Sequence, residues 1–279
     1  MKKKAIFKKF FLDIWEILRK PETMILPGQL AFFIILSLVP IITLIGWGAS
    51  FFDISIESII SFLQINVSQD FLDIVMPIVS GNTLDVRLII IFLIMFYIAS
   101  NGPHAIIMTS NTIFSIKPLP WLKRRLKAVV ITIIFIILYL FILLVPVLGS
   151  TIINAIDYFN LKSILQSVLF VLNTPISWLI IFMFIKIIYM IAPDEPIPSF
   201  RLNVGAVFTT VGWVVMTYIY THWARNLADY DIFYAGLSNI AIIMLWIYFL
   251  CVIFVIGMSL NQKVMSEELA KTGSKKKRK

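Results

Sequence analysis

The chain has 279 residues, of which 60% are hydrophobic and only 14% charged, and its mean hydropathy is +0.95. A soluble core does not need that much apolar surface, whereas a bilayer takes about 20 apolar residues for each helical crossing. The net charge of +9 gathers in two tails, Lys2, Lys3, Lys4, Lys8 and Lys9 at one end and Lys275, Lys276, Lys277, Arg278 and Lys279 at the other. Beside membrane helices, such tails set topology and meet anionic headgroups, so nucleic acid is not the expected partner. The single cysteine, Cys251, excludes an internal disulfide and a cysteine-based metal cluster.

In chain order, Ala5 to Arg19 reads as an amphipathic helix. Ile6, Phe7, Phe10, Phe11, Ile14, Ile17 and Leu18 share one face, and Lys9, Asp13 and Glu16 take the other. Asp13, Glu16 and Arg19 break the apolar stretch too often for a signal peptide, and such a helix is expected in the membrane interface. Six apolar spans follow, near Gly28–Phe52, Leu88–Phe114, Ala128–Ile153, Val168–Ala192, Asn203–His222 and Leu237–Leu260. Backbone groups in lipid must bond within their own segment, so each span is helical. The expected fold is all-α and integral to the membrane, with six transmembrane helices. Residues 1–25 form a cytoplasmic N-terminal helix, 26–262 the transmembrane domain, 53–87 an extracytoplasmic connection with short surface helices, and 263–279 a basic cytoplasmic tail. The connection after the second span carries Lys117, Lys123, Arg124, Arg125 and Lys127. With the tails, these place both termini on the cytoplasmic side.

Polar groups inside spans are costly and mark packing contacts or pathways. The second span reads Ser100-Asn101-Gly102-Pro103-His104. Pro103 has no amide hydrogen to give Ala99 and Gly102 adds freedom, so a break or kink is expected here. Asn101, His104, Asn111 and Thr112 fall on one helical stripe. That stripe either lines a binding cavity beside a discontinuous helix or pairs neighbouring helices. His104 lacks the companion ligands a metal site requires, and it serves either as a structural hydrogen-bonding group or in proton handling. In the first span Gln29, Phe33 and Pro40 lie on a shared side that Ser37 borders, and a second kink is expected at Pro40. Lys186 either snorkels to headgroups or turns inward to an anionic substrate. Gly205, Thr209 and Gly212 form a small-residue ridge for close helix approach.

At these residues the chain resembles the YihY/BrkB family of bacterial inner-membrane proteins, once labelled ribonuclease BN. The likeness rests on Ser37-Leu38-Val39-Pro40 after an aromatic stretch, Asn111 before Phe114, Tyr189 before Pro193, and Gly205 opening the fifth span. It closes on Trp246-Ile247-Tyr248 and on Gly257 four residues ahead of Asn261. The chain departs from many members at Ser259, where they carry an acidic residue, and at Tyr234-Ala235-Gly236, where they read Tyr-Gly. The resemblance implies a six-helix protein of the bacterial cytoplasmic membrane that exports or translocates small or lipid-like molecules.

The leading expectation is a transporter for a small amphiphilic, anionic or lipid-like molecule. Its pathway candidates are Gln29, Ser37, Asn101, His104, Asn111, Thr112 and Lys186, with Pro40, Gly102 and Pro103 as kink residues. The alternative is a non-transporting scaffold that organises lipid. The expected partners are membrane lipids with anionic headgroups. No phosphate-binding glycine loop, catalytic triad or metal-ligand set is present in the sequence, so neither enzyme activity nor a cofactor is expected.

Overall fold

A computed structural model describes residues 12–50, 86–137, 178–227 and 237–276. Among them the regular elements are helices. Helix α1 covers residues 12–18. Helix α2 (Pro21–Ser50) follows after a turn at Arg19 and Lys20. Its start follows from local chemistry: the Lys20 carbonyl accepts the amides of Thr23 and Met24, Pro21 has no amide to orphan, and Glu22 lies in the first turn, where the helix dipole favours an anion. The second predicted span comes as two helices, α3 (Val86–Ala99) and α4 (Asn101–Phe114). Helix α5 covers residues 121–137, α6 is Trp178–Ile191, α7 is Asn203–Leu227 after a 3-10 turn at Ser199–Leu202, and α8 is Leu237–Lys276.

Three stretches among the described residues are long and apolar enough to cross a bilayer: Pro21–Leu38, Ser199–Trp223 and Ala241–Ala270. Their outer faces carry large apolar side chains in the open. On α7, Val204, Val207, Val211, Val215, Tyr218 and Ile219 are all exposed. A helix that shows this much hydrocarbon suits a lipid surround. The predicted extracytoplasmic connection, the outer half of the third span, the start of the fourth and the N-terminal residues 1–11 lie outside the described residues.

The chain divides into two compact units. One comprises Met1–Phe33, Ala105–Arg124 and Pro175–Lys279, the other Ile34–His104 and Arg125–Thr174. In the first, α7 and α8 are the main pair. Gly205, Thr209 and Gly212 face α8. A Cβ on Gly205 would run into the Gly257 carbonyl, and one on Gly212 would meet Ile253. Trp213 reaches across from the same helix, its indole N–H donating to the Leu250 carbonyl at 3.0 Å. Tyr189 of α6 closes the group. Its hydroxyl donates to the Phe254 carbonyl at 2.7 Å and lies 2.8 Å from Thr209 Oγ1. Tyr248 is exposed beside Phe249.

Helix α1 belongs to this unit. The fully buried Ile17 packs with Ile256 and Leu260 of α8, with Ile14, Phe208 and Val252 around them. Lys263 reaches back to Asp13 at 2.8 Å and Glu16 at 2.6 Å. The polar face of α1 is therefore joined to α8 by an ion-paired clasp. Helix α8 itself runs on through Lys276, so much of the expected C-terminal tail is helical.

Candidate functional site

The junction of α3 and α4 is built by its sequence. Ser100 stands between the helices, and its side chain donates to the Tyr97 carbonyl at 2.7 Å. The Ser100 amide donates to the Phe96 carbonyl at 3.1 Å, and the His104 amide donates to the Ser100 carbonyl at 3.0 Å. Pro103, with no amide hydrogen, leaves the Ala99 carbonyl without its helical donor. Gly102 lies close to α2: a Cβ there would lie 2.6 Å from Ser37 Oγ, which would have to rotate away.

The residue that defines this junction is one the sequence reading assigned to topology. Arg125, on α5, is 8% exposed. Its guanidinium donates from Nη1 to Asn101 Oδ1 at 2.9 Å and from Nη2 to the Tyr97 carbonyl at 2.5 Å. It also lies 3.7 Å from the centroid of the Tyr97 ring. Nε is buried and makes no hydrogen bond. Among the described residues no carboxylate pairs with Arg125.

The energetics of that arrangement are specific. Burying a cation costs several kcal/mol after relaxation. Charged hydrogen bonds to carbonyls return about 1.5–3 kcal/mol each, and a desolvated cation–π contact returns about 2 kcal/mol. The end of α3 adds a favourable dipole for a cation. These partners are all neutral, so they solvate the guanidinium without cancelling its charge. The junction keeps a positive potential in a poorly screened setting.

The other predicted site residues have separate partners. Gln29 is exposed on α2. Ser37 is buried and donates to the Ile34 carbonyl at 2.8 Å. Pro40 lies within α2, which is assigned as helix on both sides of it. His104 is half-buried. Thr112 is exposed and donates to the Met108 carbonyl of its own helix. Lys186 is half-buried, with Nζ 5.8 Å from the Phe182 ring one turn back.

Asn111 is buried and makes a two-way contact with Asp194. Its Nδ2 donates to Asp194 Oδ2 at 2.7 Å, and the Asp194 amide donates to its Oδ1 at 2.9 Å. The same carboxylate oxygen accepts the Leu119 amide at 3.1 Å. The end of α4 holds Asn111 in place. Ser115 takes φ 55°, its amide donates to the Thr112 carbonyl, and the Ile116 amide returns to the Asn111 carbonyl at 2.9 Å. This is the left-handed close of a Schellman motif. Sequence reasoning missed both Asp194 and Arg125. The signal for Arg125 was helix phase: Arg125, Ala128, Ile131 and Thr132 are buried on one side of α5.

A protein whose described elements are all helical, with bilayer-length apolar helices and a polar break beside a buried cation, is of the membrane-embedded class. The Virulence factor BrkB family matches residues 15–279, and the chain belongs to that family. It is also 24% identical over 240 residues to YfkH of Bacillus subtilis (strain 168), named as ribonuclease-like, covering 84% of this chain and 87% of that one. No solved structure matches the chain.

Proposed function

We propose that the protein is a six-span transporter of the bacterial cytoplasmic membrane, with both termini cytoplasmic, for a small amphiphilic, anionic or lipid-like molecule. The observation that carries this reading is the interruption of the second span at Ser100, with buried polar side chains gathered around it. Discontinuous helices are how membrane transporters expose backbone and side-chain groups to a substrate. The break at Ser100 and the prolines Pro103 and Pro40, each of which removes one helical hydrogen bond, are where the helices would give during the movement. The reading includes no catalytic step, and the ribonuclease-like name stays with YfkH.

The test is flux through vesicles that hold the purified protein. A labelled anionic amphiphile should cross faster than in empty vesicles, and Asn101→Ala or His104→Ala should slow it. Unchanged flux in both variants rejects this pathway. One observation favours the second reading, a scaffold that organises lipid without moving it. Ser37, Ser100 and Asn101 all bond to protein groups at the junction, as a purely packed contact would. The scaffold reading expects no flux above that of empty vesicles.

A further inference from the structure

We infer that Arg125 is the anion-recognising group of this protein, with Tyr97 and Asn101 as positioning residues, and that its ligand is the oxyanion headgroup of a membrane amphiphile. The inference rests on the proposed pathway for its purpose but on separate observations for its chemistry. A guanidinium has five N–H donors in a rigid planar fork that matches the two oxygens of a phosphate or carboxylate. Here two donors are spent on neutral acceptors, one on Asn101 Oδ1 and one on the Tyr97 carbonyl, and Nε is buried without a partner. No carboxylate among the described residues balances the charge. A buried cation with unspent donors and only neutral bonding partners among the described residues is an incomplete ion pair, and an anion completes it.

The neighbours also set the type of anion. Asn101 gives its oxygen to Arg125, which fixes the amide orientation and leaves the Nδ2 hydrogens for a second ligand oxygen. Tyr97 stacks on the guanidinium yet is 53% exposed. Leu93 and Ile94, on the preceding turn of α3, are 61% and 53% exposed. The charged recognition point therefore continues into an open apolar strip on the same helix. A headgroup at Arg125 with a hydrocarbon tail along α3 satisfies both, whereas a free inorganic ion uses only the first.

The experiment takes the full-length protein in detergent micelles and titrates it with short-chain phosphatidylglycerol, with the matching phosphatidylcholine and with inorganic phosphate. Binding is read by native mass spectrometry and by the shift in unfolding temperature. Phosphatidylglycerol should bind and stabilise the wild type, phosphatidylcholine should not, and Arg125→Gln should weaken phosphatidylglycerol at least tenfold. Lys123→Gln, at an exposed position, should leave binding unchanged. If Arg125→Gln does not fold, Arg125→Lys decides: it keeps the charge but not the fork, and it should still weaken binding several-fold. A phosphate response equal to that of phosphatidylglycerol, and lost with Arg125, supports the anion site but overturns the lipid source. Equal phosphatidylglycerol binding by the wild type and by every Arg125 variant, or no anion binding to the wild type, overturns the inference. Arg125-dependent binding without flux in vesicles would leave this inference standing and defeat the transport reading.

Discussion

Gly205 donates its amide hydrogen to Asn261 Oδ1 at 2.6 Å while its bare Cα faces the carbonyl of Gly257. Two helices thus meet backbone to backbone, and Asn261 Oδ1 supplies an acceptor for an amide that the first turn of α7 leaves open. Alanine at Gly205 would place a Cβ against the Gly257 carbonyl and 2.7 Å from Asn261 Cγ. Because the obstacle is backbone, Gly205→Ala should cost about 3 kcal/mol. Gly28 also lies in a helix, with nothing within 4 Å of its would-be Cβ. Gly28→Ala should be neutral or stabilising by about 0.5–1 kcal/mol. Thermal unfolding of both variants in one detergent checks the contrast, and equal effects would remove the packing argument.

Tyr189 gives the second prediction. Its hydroxyl bridges three helices through the Phe254 carbonyl and Thr209 Oγ1. Tyr189→Phe keeps the ring that packs on Phe254 at 4.8 Å and removes only the bridge. The expected loss is about 1–2 kcal/mol. Thr209→Val in the Tyr189→Phe background should then cost less than in the wild type, since the shared bond is already gone. Additive losses would show that the two hydroxyls act independently.

Part of this was legible in one dimension. The ridge of Gly205, Thr209 and Gly212 follows helical spacing, and Gly257 and Asn261, which the fold sets against it, were visible only as a motif of the family pattern. The interruption at Ser100 follows from a proline that cannot donate. What was not legible depends on burial. Arg125 sits among Lys123, Arg124 and Lys127, and a run of four cations reads as a topology signal regardless of which one turns inward. Asp194 sits in Pro193-Asp194-Glu195-Pro196, where a carboxylate is usually solvated; only the fold brings it to Asn111 and Leu119. The amphipathic face of α1 was visible, but periodicity cannot say whether lipid or α8 covers Ile14 and Ile17.

The contact of Asn111 with Asp194 should behave as a coupled pair. Asn111 Nδ2 donates to the Asp194 carboxylate and Asn111 Oδ1 accepts the Asp194 backbone amide, so Asp194→Ala strands Nδ2 alone, whereas Asn111→Ala strands the Asp194 amide. A cycle of Asn111→Ala, Asp194→Ala and the double variant should give a coupling energy of about 1.5–3 kcal/mol, the range for hydrogen bonds to a charged group. A coupling near zero would mean that the Asn111 Nδ2 bond to the Asp194 carboxylate contributes nothing to stability.

Ser115 closes α4 at φ 55°, a conformation that strains a residue with a Cβ. Ser115→Gly should stabilise the protein by about 1 kcal/mol, because the left-handed close of the helix suits glycine. The same unfolding assay reads this as a rise. A fall would mean that the Ser115 side chain contributes more than its backbone costs.

The clasp between α1 and α8 should respond to acid. The hydrogen bond from Lys263 and the charge of that lysine hold the Glu16 carboxyl below its ordinary value of 4.5. A carboxylate lowered in the folded state stabilises fully above that ordinary value and loses its contribution as pH falls through the lowered one. Hydrogen exchange of the α1 amides, corrected for its intrinsic pH dependence, should therefore show protection that is flat near neutrality and falls below about pH 4.5. Glu16→Gln should reduce that acid dependence and keep part of the neutral protection, since Asp13 still holds Lys263 at 2.8 Å. Lys263→Ala should lower protection at neutral pH and flatten the profile. A wild-type profile without any acid limb would show that Ile14 and Ile17 alone hold α1 against α8.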